Sequence, residues 1–259
     1  MLNVRLRRMQ AVPRTVRHVF ALVGVATIAM TGSVATSSAG VTKPTDVTSI
    51  QPTPGQKVGV AYPVTVTFAQ PITDRSAAEQ TIHFSSPATP QGSFTWLNDR
   101  IVQWNPSGFW PAHSSITVTA GGAKTTFETG AKTVGVADID AHTFTVSMDG
   151  QTVREMPASM GKSKYPTPTG TFAALEKQST VVMDSRTIGI PLSDPDGYKL
   201  TVSDAVRVTW GGVYVHSAPW SVGSQGYSNV SHGCINLSPD NADWYYNTVN
   251  IGDPIIVQP

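Results

Sequence analysis

Short runs of alternating apolar and polar residues recur through the first half of the chain. The clearest is Val64–Phe68, in which every second side chain is apolar, as expected of a strand with one face on a core. Turn residues separate it from further runs of the same kind at 81–84, 93–97, 101–104, 116–119 and 125–128. This spacing predicts an immunoglobulin-like β-sandwich within residues 41–130, entered through a Thr-, Ser- and Pro-rich linker at 41–56.

A second strand-rich block occupies residues 131–259. Thr143–Met148 alternates, Asp149-Gly150 indicates a tight hairpin turn, and residues 152–156 are expected to return as the partner strand. Further strands are predicted at 181–183, 188–190, 200–202, 206–210, 213–216 and 255–257. One late helix is predicted, with Ser238 as N-cap and Pro239 at its first position, ending at Gly252. The fold class is therefore mainly β, a β-sandwich followed by a second β-rich domain with one late helix.

The N-terminal segment 1–40 has the pattern of a targeting signal. Five arginines precede an apolar run at 19–30, and small residues follow it. The apolar run is about a dozen residues, shorter than the roughly 20 that a spanning helix needs. A cleaved signal peptide and a retained membrane anchor both remain open. Either predicts export to the cell envelope or the cell wall.

Charge and cysteine content narrow the classes of function. Eighteen basic residues against 17 acidic ones give a net charge of +1, so the chain offers no basic field for nucleic acid. An exported protein usually pairs its cysteines, yet this chain has one, Cys234, which cannot form an internal disulfide. A lone cysteine is often only a small buried side chain, so its neighbours decide the interpretation.

Two histidines are candidate partners for the thiol of Cys234. A thiol is only partly ionised at neutral pH, so a nucleophilic cysteine benefits from an adjacent base. His216 ends one predicted strand and Cys234 begins another, so neighbouring strands can bring them together. His232 is two residues away in extended chain, a separation that rarely allows a direct hydrogen bond. His216 is the preferred base, although spacing alone leaves both open.

The residues beside the cysteine suggest how a reaction intermediate is held. Backbone N–H groups of His232, Gly233 and Cys234 are expected to face a developing oxyanion, and Gly233 permits close approach of a substrate. A zinc site built from His216, His232 and Cys234 is a competing interpretation, disfavoured because no acidic or second thiol ligand follows nearby. No metal and no cofactor are predicted.

The order of these residues along the chain excludes two other classes of cysteine enzyme. Papain-like enzymes and NlpC-type wall peptidases place the cysteine before the histidine, but no histidine follows Cys234. Sortases place the histidine first but need an arginine after the cysteine, and residues 235–259 contain none.

Two motifs resemble those of the L,D-transpeptidase family with a YkuD-type catalytic domain. Ser-His-Gly-Cys-Ile-Asn at 231–236 follows His216 at the family's spacing, and Thr-Pro-Thr-Gly-Thr-Phe at 167–172 matches a second family element. The similarity extends over most of residues 45–259 and is greatest to mycobacterial enzymes with a single immunoglobulin-like domain.

The resemblance implies a reaction on peptidoglycan stem peptides. Cys234 attacks the bond between meso-diaminopimelate and D-Ala of a tetrapeptide donor, and a neighbouring acceptor stem takes the acyl group to give a 3→3 cross-link. Carbapenem-type β-lactams are the implied covalent inhibitors. The resemblance assigns His216 as the base and the carbonyl of Ser217 as its orienting partner. It also implies a set of substrate-binding positions: Met183, Tyr198, Gly211, Gly212, Trp220, Ser231, His232, Gly233 and Asn236.

Alternatives remain at the level of residues and of function. Without the resemblance, Met183, Tyr198 and Trp220 are equally ordinary core or surface residues, and Gly211-Gly212 is equally a simple turn. Two alternative functions are an L,D-carboxypeptidase, in which water replaces the acceptor amine, and a non-catalytic protein that binds the cell wall through its β-sandwich.

Overall fold

Two four-stranded sheets form the first half of the computed structural model, which describes residues 45–259. Their strands are β1 (Val47–Gln51), β2 (Lys57–Val58), β3 (Val64–Phe68), β4 (His83–Ser85), β5 (Gly92–Trp96), β6 (Ile101–Pro106), β7 (Ser115–Ala120) and β8 (Ala123–Thr129). The sheet orders are β1-β3-β6-β5 and β2-β8-β7-β4, and a short helix, α1 (Arg75–Glu79), precedes β4. The inward side chains of β3 are buried as the alternation predicted, and Trp104 packs against Trp110 with ring centroids 5.1 Å apart.

Two further sheets form the second half. Their strands are β9 (Thr133–Asp138), β10 (Thr143–Met148), β11 (Gln151–Pro157), β12 (Gly170–Ala173), β13 (Glu176–Asp184), β14 (Lys199–Arg207), β15 (Tyr214–Ser217), β16 (Ile235–Leu237) and β17 (Pro254–Gln258). The orders are β11-β10-β9-β17-β12 and β13-β14-β15-β16. Helix α2 (Pro239–Thr248) packs Ala242 and Tyr245 into the core of this half. The prediction of a mainly β chain is confirmed.

Several local predictions differ from the structure. Residues 188–190 do not form a strand, because Asp184 caps a 3-10 helix, Ser185–Ile188, which Gly189 ends in the left-handed region at φ 81°. Residues 200–202 and 206–207 belong to one strand, β14, which pairs with β13 on both sides of Asp204, a residue with φ 54°, and the predicted strand does not extend over 208–210. The expected linker at 41–56 contains β1.

The sequence pattern did not indicate β9, although β9 lies at the centre of its sheet. It is paired on one side with β10 and on the other with β17, and most of its residues are buried. A strand covered on both faces shows no alternation, so its period carries no signal. The predicted leader at 1–40 lies outside the described residues. Within 45–259 no helix is long and apolar enough to cross a membrane.

The two halves meet through main-chain hydrogen bonds around Gly59. Its N–H donates to the carbonyl of Ile251 at 2.9 Å, and Ala61 N–H donates to the carbonyl of Gly252 at 2.8 Å. A Cβ on Gly59 would lie 2.0 Å from the backbone nitrogen of Asp253, so no other residue fits there without movement. The contact places the fully buried carboxyl group of Asp253 beside this junction.

The Asp253 carboxyl group is incompletely paired for a buried acid. Its Oδ2 accepts the backbone N–H of Asn250 at 2.7 Å, while Oδ1 is buried with no hydrogen-bond partner among the described residues. Burial raises the pKa of Asp253 to about 7, against an ordinary value of 3.8. The folded protein therefore holds this proton more tightly than the unfolded chain does, and folding stability falls as the pH rises from 3.8 towards 7.

We expect Asp253→Asn to remove this loss of stability, because the amide keeps an oxygen for Asn250 and carries no charge. The difference in free energy of unfolding between the variant and wild type should increase by on the order of 2–4 kcal/mol in favour of the variant as the pH rises from about 4 to about 8. Urea unfolding at several pH values measures the difference, with Asp99→Asn, an exposed aspartate, as the control. Parallel pH curves for wild type and Asp253→Asn would contradict the assignment.

Candidate active site

The strand pair β15–β16 brings the predicted nucleophile and base to one face of a sheet. The two strands are parallel, with His216 opposite Asn236. Cys234 precedes Asn236 by two residues, so its side chain points to the same face as that of His216. From strand spacing and rise, the two Cα atoms lie roughly 8 Å apart on the diagonal. Both side chains line a cavity of about 330 Å³.

Most of the predicted site residues line this cavity. They are Met183, Tyr198, His216, Trp220, Ser231, His232, Cys234 and Asn236. Four further predicted positions, Ser217, Gly211, Gly212 and Gly233, are not among the lining residues. Sequence reasoning missed Leu200, Ser221, Ser224 and Val230, which also line it and carry no motif that would have indicated them.

The ring of His216 is buried and held in one orientation. Its Nδ1 lies 2.8 Å from the backbone carbonyl oxygen of Ser217, so Nδ1 carries the hydrogen and donates it. That tautomer leaves the lone pair on Nε2. Burial lowers the pKa of His216 to about 4, against the opposing effect of the Ser217 hydrogen bond. The imidazole is therefore neutral and able to accept a proton at Nε2.

The thiol of Cys234 is neutral as well. The residue is partly exposed and lines the cavity, and its partial burial raises the thiol pKa to about 11, against the opposing effect of a backbone hydrogen bond from Tyr214. The thiol donates a long hydrogen bond, 3.7 Å, to the carbonyl oxygen of Gly212. In this structure its hydrogen bond goes to Gly212 and not to His216.

Ser231 and Gly233 shape the loop that presents the cysteine. The hydroxyl of Ser231 accepts the N–H of Gly233 at 3.0 Å and donates to the carbonyl of Cys234 at 2.7 Å. Gly233 has φ 116°, a conformation that other residues rarely adopt. Its N–H is therefore already occupied, and it is not free to bind the oxyanion that the sequence pattern assigned to it.

Thr167 ties this loop to a neighbouring segment and was not predicted as a site residue. Its buried hydroxyl accepts the N–H of Gly161 at 2.9 Å and donates to the carbonyl of Gly233 at 2.8 Å. The motif at 167–172 was recognised, but the contact joins residues far apart in sequence and has no local signature.

His232 lies beneath two tyrosine rings. Its ring centroid is 4.9 Å from that of Tyr165 and 4.9 Å from that of Tyr198. Its Nε2 is 3.7 Å from Oδ1 of Asp196 and is buried with no hydrogen-bond partner in the described part of the chain. Burial, followed by the charge of Lys162, lowers the pKa of His232. This ring is held by its neighbours and forms one wall of the cavity.

The remaining predicted positions differ in what they offer. Asn236 donates through Nδ2 to the hydroxyl of Ser221 at 3.1 Å, and its Oδ1 is buried without a partner among the described residues. Trp220 is 55% exposed at the cavity, with its ring centroid 6.0 Å from that of His216. Gly212 has φ 99°, which explains a glycine there. At Gly211 a Cβ would meet its nearest neighbour at 3.6 Å, so a side chain fits.

Within residues 45–259, no group of three or more His, Cys, Asp or Glu side chains is arranged to hold an ion.

Comparison with known proteins extends the similarity over nearly the whole chain. A family described as the L,D-transpeptidase catalytic domain matches residues 132–257, and one described as a bacterial Ig domain matches residues 21–125. L,D-transpeptidase 1 of Mycobacterium tuberculosis is 54% identical over 248 residues, which cover 94% of this chain and 98% of that protein.

Solved structures of L,D-transpeptidases are similar to this chain in fold and in sequence. An L,D-transpeptidase from Mycobacterium smegmatis is 66% identical, with a TM-score of 0.81, and the match covers 84% of this chain and 100% of that one. The structure of L,D-transpeptidase LdtMt1 in complex with imipenem is 57% identical, with a TM-score of 0.79 and coverage of 83% and 99%.

Thr167→Val should loosen the cysteine loop, because it removes the hydroxyl and leaves the Gly161 N–H and the Gly233 carbonyl unpaired. We expect a loss of about 1–3 kcal/mol in unfolding free energy and faster alkylation of Cys234 by iodoacetamide. Thr169→Val, an exposed change in the same motif, is the matched control. Equal behaviour of the two variants would show that Thr167 does not hold the loop.

Proposed function

We propose, from the premise that this chain belongs to the L,D-transpeptidase family, that it cross-links peptidoglycan stem peptides through an acyl-enzyme on Cys234. The donor is a tetrapeptide stem, cleaved between meso-diaminopimelate and D-Ala. The acceptor is the diaminopimelate amine of a neighbouring stem, and the product is a 3→3 cross-link. Residues 131–259 are the catalytic domain and 41–130 the immunoglobulin-like domain ahead of it.

The observation that carries this proposal is the joint placement of His216 and Cys234 on one face of β15–β16, at one cavity. Hydrogen bonding to Ser217 fixes the imidazole with its free lone pair on Nε2. A base in that tautomer, beside a neutral thiol, is what general-base activation of a nucleophile needs.

In the first half-reaction, Nε2 of His216 takes the thiol proton while sulfur attacks the carbonyl carbon of the donor's diaminopimelate. The tetrahedral intermediate collapses as the bond to the D-Ala nitrogen breaks, and the imidazolium returns its proton to that leaving amine. The products are D-Ala and a thioester on Cys234.

In the second half-reaction, neutral His216 removes a proton from the acceptor amine as its nitrogen attacks the thioester carbonyl. The carbon–sulfur bond breaks and the thiol recovers a proton from the imidazolium. An amide bond joins the two stems, and the enzyme returns to its starting state.

The other cavity residues contribute substrate contacts. Tyr198, Met183 and Trp220 offer apolar surface around the cavity, and the unpartnered Oδ1 of Asn236 is a buried acceptor beside it. Carbapenem-type β-lactams acylate the same sulfur, a proposal supported by the imipenem complex of LdtMt1.

The substrate lies outside the cytoplasmic membrane, so we further propose that the protein acts in the cell envelope. Residues 1–40, as a signal peptide or a membrane anchor, direct it there.

Removal of the nucleophile or of the base should separate their roles. Cys234→Ala should form no covalent adduct with a carbapenem in intact-protein mass spectrometry. His216→Ala should slow adduct formation by ~10²–10⁴-fold, the usual effect of losing a general base. His83→Ala, a change in β4, is the control for altered histidine content. If adduct formation is slower in His232→Ala than in His216→Ala, the base is His232.

Product analysis distinguishes cross-linking from hydrolysis. With a tetrapeptide donor and an amine acceptor, we expect a cross-linked dimer and released D-Ala. Tripeptide without dimer identifies an L,D-carboxypeptidase on the same site.

The pH dependence of acylation follows from the two neutral groups. His216 has a pKa of about 4 and Cys234 of about 11, so both stay neutral between these values. The acylation rate constant should be level between about pH 6 and 9 and fall below about pH 5, as the imidazole becomes protonated. The acylation rate constant of His216→Ala should instead rise steadily with pH, because only the thiolate of Cys234 then reacts. Stopped-flow measurement of β-lactam absorbance gives both profiles; an inflection near pH 7 in wild type would indicate a preformed ion pair.

A further inference from the structure

The carboxylate of Asp196 joins two segments that are distant in sequence. It accepts hydrogen bonds from Nζ of Lys162, from Nζ of Lys164 at 2.7 Å and from the hydroxyl of Tyr165 at 3.3 Å. Lys162, Lys164 and Tyr165 belong to the connection between β11 and β12, whereas Asp196 belongs to the connection that leads into β14. We call these four residues the Asp196 clamp.

On one side the clamp is attached to the loop that carries the nucleophile. The backbone N–H of Lys162 donates to the carbonyl of Ser231 at 3.0 Å. Gly161 forms a bridge with the same residue, and its N–H donates to the hydroxyl of Thr167, which also binds Gly233. Lys162 is therefore fixed relative to Cys234 by backbone contacts.

On the other side the clamp is attached to Tyr198 through a tight turn. The N–H of Gly197 donates to the carbonyl of Asp194 at 2.8 Å, and a Cβ on Gly197 would lie 2.4 Å from the carbonyl oxygen of Pro191. The N–H of Tyr198 then donates to the hydroxyl of Ser185 at 3.0 Å. Tyr198 therefore follows Asp196 by two residues through a constrained turn, and its backbone is also held by Ser185, whose N–H donates to the carbonyl of Tyr198 at 2.9 Å.

His232 lies between the two sides. Its ring lies against those of Tyr165 and Tyr198 in tilted arrangements, and its Nε2 is 3.7 Å from Oδ1 of Asp196. The ring and that of Tyr198 both line the cavity. One carboxylate thus links the segments that carry two walls of the site.

The charge balance of the clamp predicts that loss of Asp196 has a larger effect than loss of either lysine. Two ammonium groups share one carboxylate, whose side chain is 20% exposed. Without that carboxylate, Lys162 and Lys164 repel each other beside the ring of His232, and neither has a partner on the β14 side.

We propose that Asp196 is a positioning residue, which holds Tyr198 and His232 against the cysteine loop so that the cavity is shaped to receive the acyl donor. The inference rests on the proposed function. Asp196 does not touch the reacting atoms, and its loss leaves His216, Ser217 and Cys234 in place. The clamp therefore acts on binding of the donor and much less on the chemical step.

The test is the dependence of acylation rate on carbapenem concentration. Asp196→Asn should raise the half-saturating concentration roughly tenfold while changing the limiting rate by less than about threefold, as expected of a misplaced wall and not of a lost catalytic group. Asp196→Glu should recover part of the loss. A variant that is merely less stable would have fewer active molecules, but an unchanged half-saturating concentration.

Two controls identify the ion pairs as the cause. Arg186→Gln breaks the Arg186–Asp184 pair on the same connection, in which the arginine side chain is exposed, without removing a clamp residue, and it should match wild type. Lys162→Met combined with Asp196→Asn should raise the half-saturating carbapenem concentration no more than the worse of the two single changes, because the two residues act as one unit. Raising the ionic strength from about 0.05 to about 0.5 M should weaken donor binding in wild type and have little effect in Asp196→Asn.

Amide hydrogen exchange in the free protein gives a second readout that needs no activity. Asp196→Asn should speed exchange at 191–198 and at 231–234, with the remaining strands unchanged. The proposal is overturned if exchange at 191–198 and 231–234 is unchanged in Asp196→Asn, or if Arg186→Gln weakens donor binding as much as Asp196→Asn does. If wild type forms no adduct with the carbapenem, the proposed function is refuted instead. Amide hydrogen exchange in the free protein then still tests whether Asp196 holds the two segments together.

Discussion

The parallel pairing of β15 with β16 is the contact on which the site depends. It places His216 opposite Asn236 and, two residues earlier on the same face, Cys234. Because side chains alternate between the faces of a strand, a slip of one residue would turn the cysteine away from the cavity. The register is secured by Val215, Ile235 and Leu237, which are fully buried on the opposite face. Hydrophobic packing on one side of the sheet thus determines the chemistry on the other.

Burial favours the neutral forms of the thiol of Cys234 and of the imidazole of His216. In an enclosed site the charged form of each group is disfavoured, which raises the pKa of Cys234 and lowers that of His216. Many cysteine nucleophiles depend on a lowered thiol pKa, but here the surroundings work against a stable thiolate. In the mechanism we propose, the proton moves as the new bond forms, and the carbonyl of Ser217 keeps the imidazole oriented for that transfer.

The loop around the nucleophile is held by side chains that bond to backbone. Ser231 closes the turn from within, Thr167 ties it to a neighbouring segment, and the Asp196 clamp connects that segment to Tyr198. These contacts join the loop to itself or to a neighbouring segment. They hold its conformation although the loop has no regular secondary structure. This gives the cavity walls a fixed spacing while the rim, including Trp220, stays exposed.

Local patterns in the sequence determined the strands with one buried face, such as Val64–Phe68 and Thr143–Met148, and the start of α2 at Pro239. They also determined the motif of residues 231–236, with His216 at the family's spacing before it. These features are encoded in neighbouring residues, where a period of two, a cap or a motif leaves a direct trace. Tertiary structure alone decided the central strand β9, the 3-10 helix at Ser185–Ile188, the role of Thr167 and the meeting of Asp196 with two lysines and His232. A strand covered on both faces shows no period, and a contact between segments separated by many residues is specified only when folding brings them together.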